Sequence, residues 1–255
     1  MNRGGGKPGK EFWLGALRQE ATALRAAISP DNLQAAVPAC GDWTVEQLIH
    51  HVGSVYQWVR GHVVREVTSK PEPFAPASAP TGPAVLDWWD EQYEQLLATL
   101  DRLDPEQPAW NWAPQAKKAV FWHRRMAHET AVHRWDAQMA TAGITEPIEP
   151  KLAADGIAEV LDTWLPAGRR HEVPERVAGL VQLLAEDVGQ EWLVRLRGAG
   201  VALLDTSTVM HEHHEIDAQA VGTASDLQLA LWGRVPFDVV ETAGETRLFR
   251  ALRTG

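Results

Sequence analysis

Residues 121–140 read FWHRRMAHETAVHRWDAQMA, and the spacing inside this run decides how the chain is built. The segment from Val120 to Ala140 is rich in Ala, Met, Gln, Glu and Arg and has no Gly or Pro, so it reads as helix. Glu129 and His133 are four positions apart. At about 100° per residue they leave the same face, one turn apart, roughly 40° around the axis. A carboxylate and an imidazole so placed can share one divalent metal ion if a third ligand comes from another element. His128 and His133 suggest a zinc-protease helix, but that motif needs two His four apart. These are five apart, about 140° around the helix, and the protease reading fails on geometry.

The third ligand is best sought in DWTVEQLIHHVGSVYQWVRGHVVREV (42–67). Thr44 followed by Gln47 is a capping-box pattern for a helix start. Leu48, His51, Val52, Val55, Trp58 and Val59 follow the spacing of a buried stripe, which puts His51 on that stripe. His50 points about 100° away and is the weaker candidate. On this helix alone, an imidazole on an apolar face reads more often as a hydrogen-bonded core residue than as a ligand. The Glu129/His133 pair alone also reads as an ordinary surface contact.

Two of these stretches, VPACGDWTVEQLIHHVG (37–53) and FWHRRMAHETAVHRWDAQMA (121–140), resemble signatures of the mycothiol-dependent maleylpyruvate isomerase family. That family belongs to the DinB-like metal-binding four-helix bundles. Its members carry a His eight residues after the Trp of a "WTV" helix start, and a Glu-x-x-x-His pair on a later helix. Those positions here are His51, Glu129 and His133. The tail stretch VGTASDLQLALWGR (221–234) is similar to the family's C-terminal domain. The resemblance implies an α+β fold: a DinB-like four-helix bundle, then a small C-terminal α/β domain with an antiparallel sheet. It also implies a three-ligand metal site of His51, Glu129 and His133, with mycothiol, an actinobacterial thiol, as cosubstrate. Arg234 matches an Arg that the family carries, suited to a bidentate hold on a substrate carboxylate. The alternative for Arg234 is a structural ion pair.

Composition narrows the classes. The chain has 255 residues, a formal net charge of −10, one Cys and twelve Trp. No Lys/Arg cluster stands out, so nucleic acid and anionic membrane surfaces are poor partners. No apolar run reaches the roughly 18 residues of a membrane span. A single Cys excludes an intrachain disulfide, and the N-terminus shows no secretory signal, which together give a cytoplasmic expectation. The Trp residues read mainly as core, with Trp58, Trp122 or Trp135 as alternatives for lining a pocket beside the metal.

The expected organisation is a disordered tail over 1–9, the bundle over 10–145 and the α/β domain over 146–255. Helices are expected over Glu11–Ile28, from Thr44, over Ala84–Leu103 and over Lys117–Ala140. A Pro-rich loop, KPEPFAPASAPTGP (70–83), separates the second and third. After Pro147 a helix over Leu152–Leu165 is expected, then an element over Val177–Leu184. WLVRLR (192–197) and VALLDT (201–206) suggest a hairpin, and Ser225–Trp232 a short helix.

Two His and one carboxylate leave zinc open positions, the arrangement of a catalytic site; nickel, manganese and iron(II) also suit it. The resemblance implies that a thiol held there as thiolate adds to an electrophilic small molecule. The outcome is cis–trans isomerisation of an unsaturated acid, or S-transfer. The competing classes are a catalytically silent metal-binding bundle with a ligand-binding or regulatory role, and a metal-dependent hydrolase with Glu129 as base. The latter leaves only two ligands. Cys40 reads as a small packed thiol rather than a nucleophile. Asp136 reads either as an acceptor orienting an imidazole or as a surface partner of Arg134 or Arg124. HEHHE (211–215) reads as a polar edge strand. The sequence leaves the electrophile, the metal and the choice between monomer and homodimer open.

Overall fold

The computed structural model describes residues 8–73, 77–168, 177–198, 200–204 and 215–254. The chain divides into two compact units, Met1–Glu146 and Pro147–Gly255.

The first unit is a bundle of four helices: α1 (Lys10–Ala26), α2 (Val45–Val63), α3 (Ala84–Arg102) and α4 (Val120–Ala142). In α1, Trp13, Leu14, Leu17, Ala21 and Leu24 recur at three- and four-residue spacing and are buried. The start of α2 is set by the capping box. Thr44 N–H donates to Gln47 Oε1 at 2.8 Å, and Gln47 N–H donates to Thr44 Oγ1 at 3.4 Å. The buried face of α2 differs from the predicted stripe. It runs through Val45, Leu48, Ile49, Val52, Tyr56, Val59 and Val63, while His51, Val55 and Trp58 are half-buried at its edge. The helix packs on both α3 and α4, which widens its buried face beyond one stripe and leaves His51 beside the core rather than in it.

Helix α4 is buried on almost every side, from Phe121 through Ala137, although its sequence is half polar. Gly143, at φ 65°, adopts the left-handed conformation that closes it. A polar helix can occupy a core only if its polar groups are paired. Arg134 Nε donates to Glu20 Oε2 of α1 at 2.7 Å, with both side chains nearly inaccessible. Tyr56 and Thr130 hydroxyls meet at 2.7 Å. On the α3 side, Gly53 lets α2 approach Trp88 so closely that a Cβ would lie 2.4 Å from the indole.

The second unit holds α5 (Pro150–Glu159), which continues as a π turn over Val160–Trp164, and α6 (Ala224–Leu231). Glu149 caps α5 by accepting from Leu152 N–H at 2.8 Å, and Thr223 caps α6 by accepting from Asp226 N–H at 3.1 Å. The helices meet where Gly156 leaves room for the Gln228 side chain. The sheet contains β1 (Ala178–Ala185), β2 (Gln190–Arg197), β3 (Gly200–Leu204), β4 (Ala218–Gly222) and β5 (Glu241–Gly244), in the order β3-β2-β1-β4-β5. The hairpin expected around residues 198–200 is present, with Leu196 opposite Val201. Most of the sheet is antiparallel, but β1 and β4 run parallel, Val181 facing Ala218. Phe237–Val239 and Thr246–Leu252 are short 3-10 helices. Within HEHHE, residues 211–214 lie outside the described residues, as do residues 1–7 of the tail.

Candidate metal centre

Helices α2 and α4 bring His51, Glu129 and His133 together. One donor atom from each lies within 4.8 Å of the other two. His51 Nε2 is 3.1 Å from Glu129 Oε1, and His133 Nε2 is 3.4 Å from that same oxygen. The two imidazole rings stand edge to face, 5.1 Å between centres. Donors bound about 2.0–2.2 Å from one ion at tetrahedral angles stand roughly 3.3–3.6 Å apart. The two separations from Glu129 Oε1 to the imidazole nitrogens are thus close to those of a shared divalent cation. His51 is the most open of the three, with 35% of its side chain exposed against 12% for Glu129 and 10% for His133. Access to the cluster is thus from the His51 side.

The surrounding groups tune it. Arg125, one turn before Glu129 and nearly inaccessible, donates from its guanidinium to Glu129 Oε2. Oε1 is thereby turned to the imidazoles. Burial alone would push the Glu129 carboxyl up, but the Arg125 charge and the contacts with His133 and His51 hold it well below the usual carboxylate range. For His133, burial would favour the neutral ring. Contacts with Asp136, Cys40 and Glu129 override it and raise the imidazole well above its ordinary value. The flanking carboxylates thus favour the charged ring in the metal-free protein.

The other residues singled out in the sequence have the following surroundings. Asp136 is buried and lies 2.9 Å from His133 Nδ1, which places it beside the imidazole rather than at the surface. Cys40 Sγ lies 3.6 Å from Asp136 Oδ2, a polar contact beyond simple packing. His50 is hydrogen-bonded to the Pro80 carbonyl at 2.8 Å and takes no part in the cluster. His128 is buried against Trp13, ring centres 5.6 Å apart. Trp58 and Trp122 belong to an aromatic group with Trp110 and His62. The indole beside His51 is instead Trp43, 5.0 Å between centres. The sequence reading missed Arg125, which its four-residue spacing from Glu129 could have marked. Arg234 lies in the second unit, where it donates to the Trp232 carbonyl at 3.0 Å and its guanidinium sits 5.9 Å from that residue's ring.

A groove of about 960 Å³ between α1 and the end of α4 is lined by Arg18, Thr22, Asn32, Gln138, Thr141 and Glu146, and none of the metal-ligating candidates borders it. No described helix is long and apolar enough to cross a membrane.

Comparison with known proteins places the chain in a family. Residues 14–138 match the family model of the mycothiol maleylpyruvate isomerase N-terminal domain, and residues 151–251 match the C-terminal domain of the same family. Among solved structures, the mycothiol-dependent maleylpyruvate isomerase and a mutant of it each superpose with a TM-score of 0.62 at 13% identity. In both cases 92% of this chain and 93% of the other are covered, which shows a shared fold. No functionally curated protein matches the sequence. With both of its domains matched, the chain belongs to the mycothiol-dependent maleylpyruvate isomerase family.

Proposed function

We propose that this protein is a mycothiol-dependent metalloenzyme that acts on an electrophilic small molecule, by cis–trans isomerisation or by S-transfer. The observation that carries the reading is the convergence of two imidazole nitrogens on one carboxylate oxygen at 3.1 and 3.4 Å, inside a family defined by mycothiol chemistry. A divalent metal bound there, with zinc the best match to a His₂Glu donor set, supplies a Lewis-acid centre that stabilises a thiolate near neutral pH.

The chain's own residues do the rest. Arg125 neutralises part of the Glu129 charge and aims Oε1. Asp136 accepts from His133. The half-exposed His51 leaves one side accessible to a thiol and an electrophile. In isomerisation the thiolate sulfur adds to an activated double bond, the former double bond rotates, and elimination returns the thiolate, with no net change in atoms. In S-transfer the carbon–sulfur bond is retained and the thiol proton leaves with the displaced group or adds to the substrate. Arg234 is the proposed holder of a substrate carboxylate. A cytoplasmic location fits a thiol cosubstrate of that kind.

Two assays with zinc-loaded protein test this: loss of maleylpyruvate, and conjugation of an aromatic halide, each with mycothiol or glutathione. Turnover on either substrate with mycothiol and none with glutathione is expected. Mycothiol binding without turnover on any electrophile would favour a silent ligand-binding role instead.

A further inference from the structure

An imidazole can present either nitrogen to a metal, and which one is available depends on where the other keeps its hydrogen. In His133 the two nitrogens face different surroundings. Nε2 looks toward Glu129 Oε1 and His51, while Nδ1 lies 2.9 Å from Asp136 Oδ2. An ionised carboxylate only accepts, so the hydrogen in that contact sits on Nδ1, and in the neutral ring the Nε2 lone pair is left for the metal side. Asp136 is itself almost completely buried, so it has little freedom to turn away.

A second donor reaches the same oxygen. Cys40 Sγ stands 3.6 Å from Asp136 Oδ2, and the carboxylate again accepts, from the S–H. Cys40 lies in the turn that leads into α2, where its carbonyl accepts from Trp43 N–H at 3.3 Å, directly before the Thr44 cap. The carboxylate that orients His133 on α4 is thus tied to the segment that launches the helix carrying His51.

We propose that Asp136 is a positioning residue for His133, clamped by the Cys40 thiol, and that this pair fixes which imidazole nitrogen is offered to the metal. The affinity part of the test rests on the metal reading above; the tautomer part does not.

The test compares wild type with Asp136→Ala, Asp136→Asn and Cys40→Ser in two measurements. Zinc affinity is measured by competition with a chromophoric chelator. The His133 ring tautomer is read from imidazole ¹⁵N shifts of the metal-free protein at alkaline pH. Loss of the carboxylate is expected to weaken zinc binding about 10- to 100-fold, the usual effect of removing such a partner. Asn, which keeps an accepting oxygen, should recover part of that loss, and Ser at position 40, which keeps a donor, should stay near wild type. The wild-type ring should carry its hydrogen on Nδ1, and the Ala variant should lose that preference. If Asp136→Ala does not fold, the Asn variant carries both readouts, with a smaller expected shift.

Zinc affinity within about twofold of wild type together with an unchanged ¹⁵N pattern would overturn the proposal. So would a thiolate-to-cobalt charge-transfer band in the cobalt-loaded protein that vanishes in Cys40→Ser. Cys40, His133 and Asp136 also offer three donors within 4.8 Å, and such a band would make Asp136 a ligand rather than an orienting group. If wild type binds no metal, the metal reading fails, and the tautomer measurement alone still decides the role of Asp136.

Discussion

The guanidinium of Arg125 holds Oε2 of Glu129 one helical turn away, which leaves Oε1 as the oxygen both imidazoles approach. Both residues are nearly buried, and the pair explains how a carboxylate stays ionised in the bundle without a metal. Removing one partner of such a pair strands the other and costs about 3–5 kcal/mol. Arg125→Ala should therefore unfold at a markedly lower temperature than wild type when metal-free. Zinc should recover much of the loss, because the cation takes over compensation of Glu129. Thermal melts with and without zinc check this; an equal deficit in both would contradict it. The same logic makes Glu129→Gln a better ligand-removal variant than Glu129→Ala.

The charge state of His133 gives opposite pH trends to the two forms of the protein. Its folded value is raised, so its contribution to stability is fully present below the ordinary value near 6.5 and is lost as pH rises through the folded value. Glu129 contributes in the other direction: its stabilisation is present above about 4.5 and lost as pH falls through its depressed value. Metal-free protein should lose stability as pH rises above neutrality. Metal binding must displace the His133 proton, so zinc affinity should rise roughly tenfold per pH unit until that proton is gone. Chemical denaturation and chelator competition across about pH 6 to 9 read both trends. A metal affinity flat over that range would count against His133 ligation.

Away from the site, Glu20 and Arg134 join α1 to α4 through a buried contact of 2.7 Å. Arg134→Met should destabilise the fold by about 3–5 kcal/mol while leaving the zinc stoichiometry of the folded fraction unchanged. Urea denaturation paired with metal analysis separates these effects. Loss of metal from protein that is still folded would show that Arg134 serves the centre as well.

Gly53 offers a test of helix packing next to His51. An added methyl would sit 2.4 Å from the Trp88 ring, so Gly53→Ala must shift that ring or part α2 from α3. A cost of about 1–3 kcal/mol follows from overpacking of this kind. A helix-propensity gain with no loss would mean that the indole swings aside freely.

The helices of the bundle were legible because their signals are local, as with the Thr44/Gln47 box, which acts within one turn. The clustering of the three candidate ligands was legible because Glu129 and His133 share a helix face, and the family resemblance pointed to His51. The buried face of α2 was not, since contact with two neighbouring helices at once blurs a single stripe. For α4 the sequence pattern misleads more deeply. Its Arg, His, Glu and Asp residues read as partly solvated, and only tertiary pairing with Glu20, His51 and Cys40 shows that they are interior. The parallel β1–β4 pairing was likewise hidden, because it joins strands far apart in sequence.

The most direct test of the central claim is a calorimetric titration of mycothiol into zinc-loaded protein, with glutathione and the His51→Ala variant as controls. The account predicts metal-dependent binding with proton release to the buffer, absent with glutathione and absent in the variant. Equal heats for mycothiol with and without zinc, or no binding at all, would contradict it.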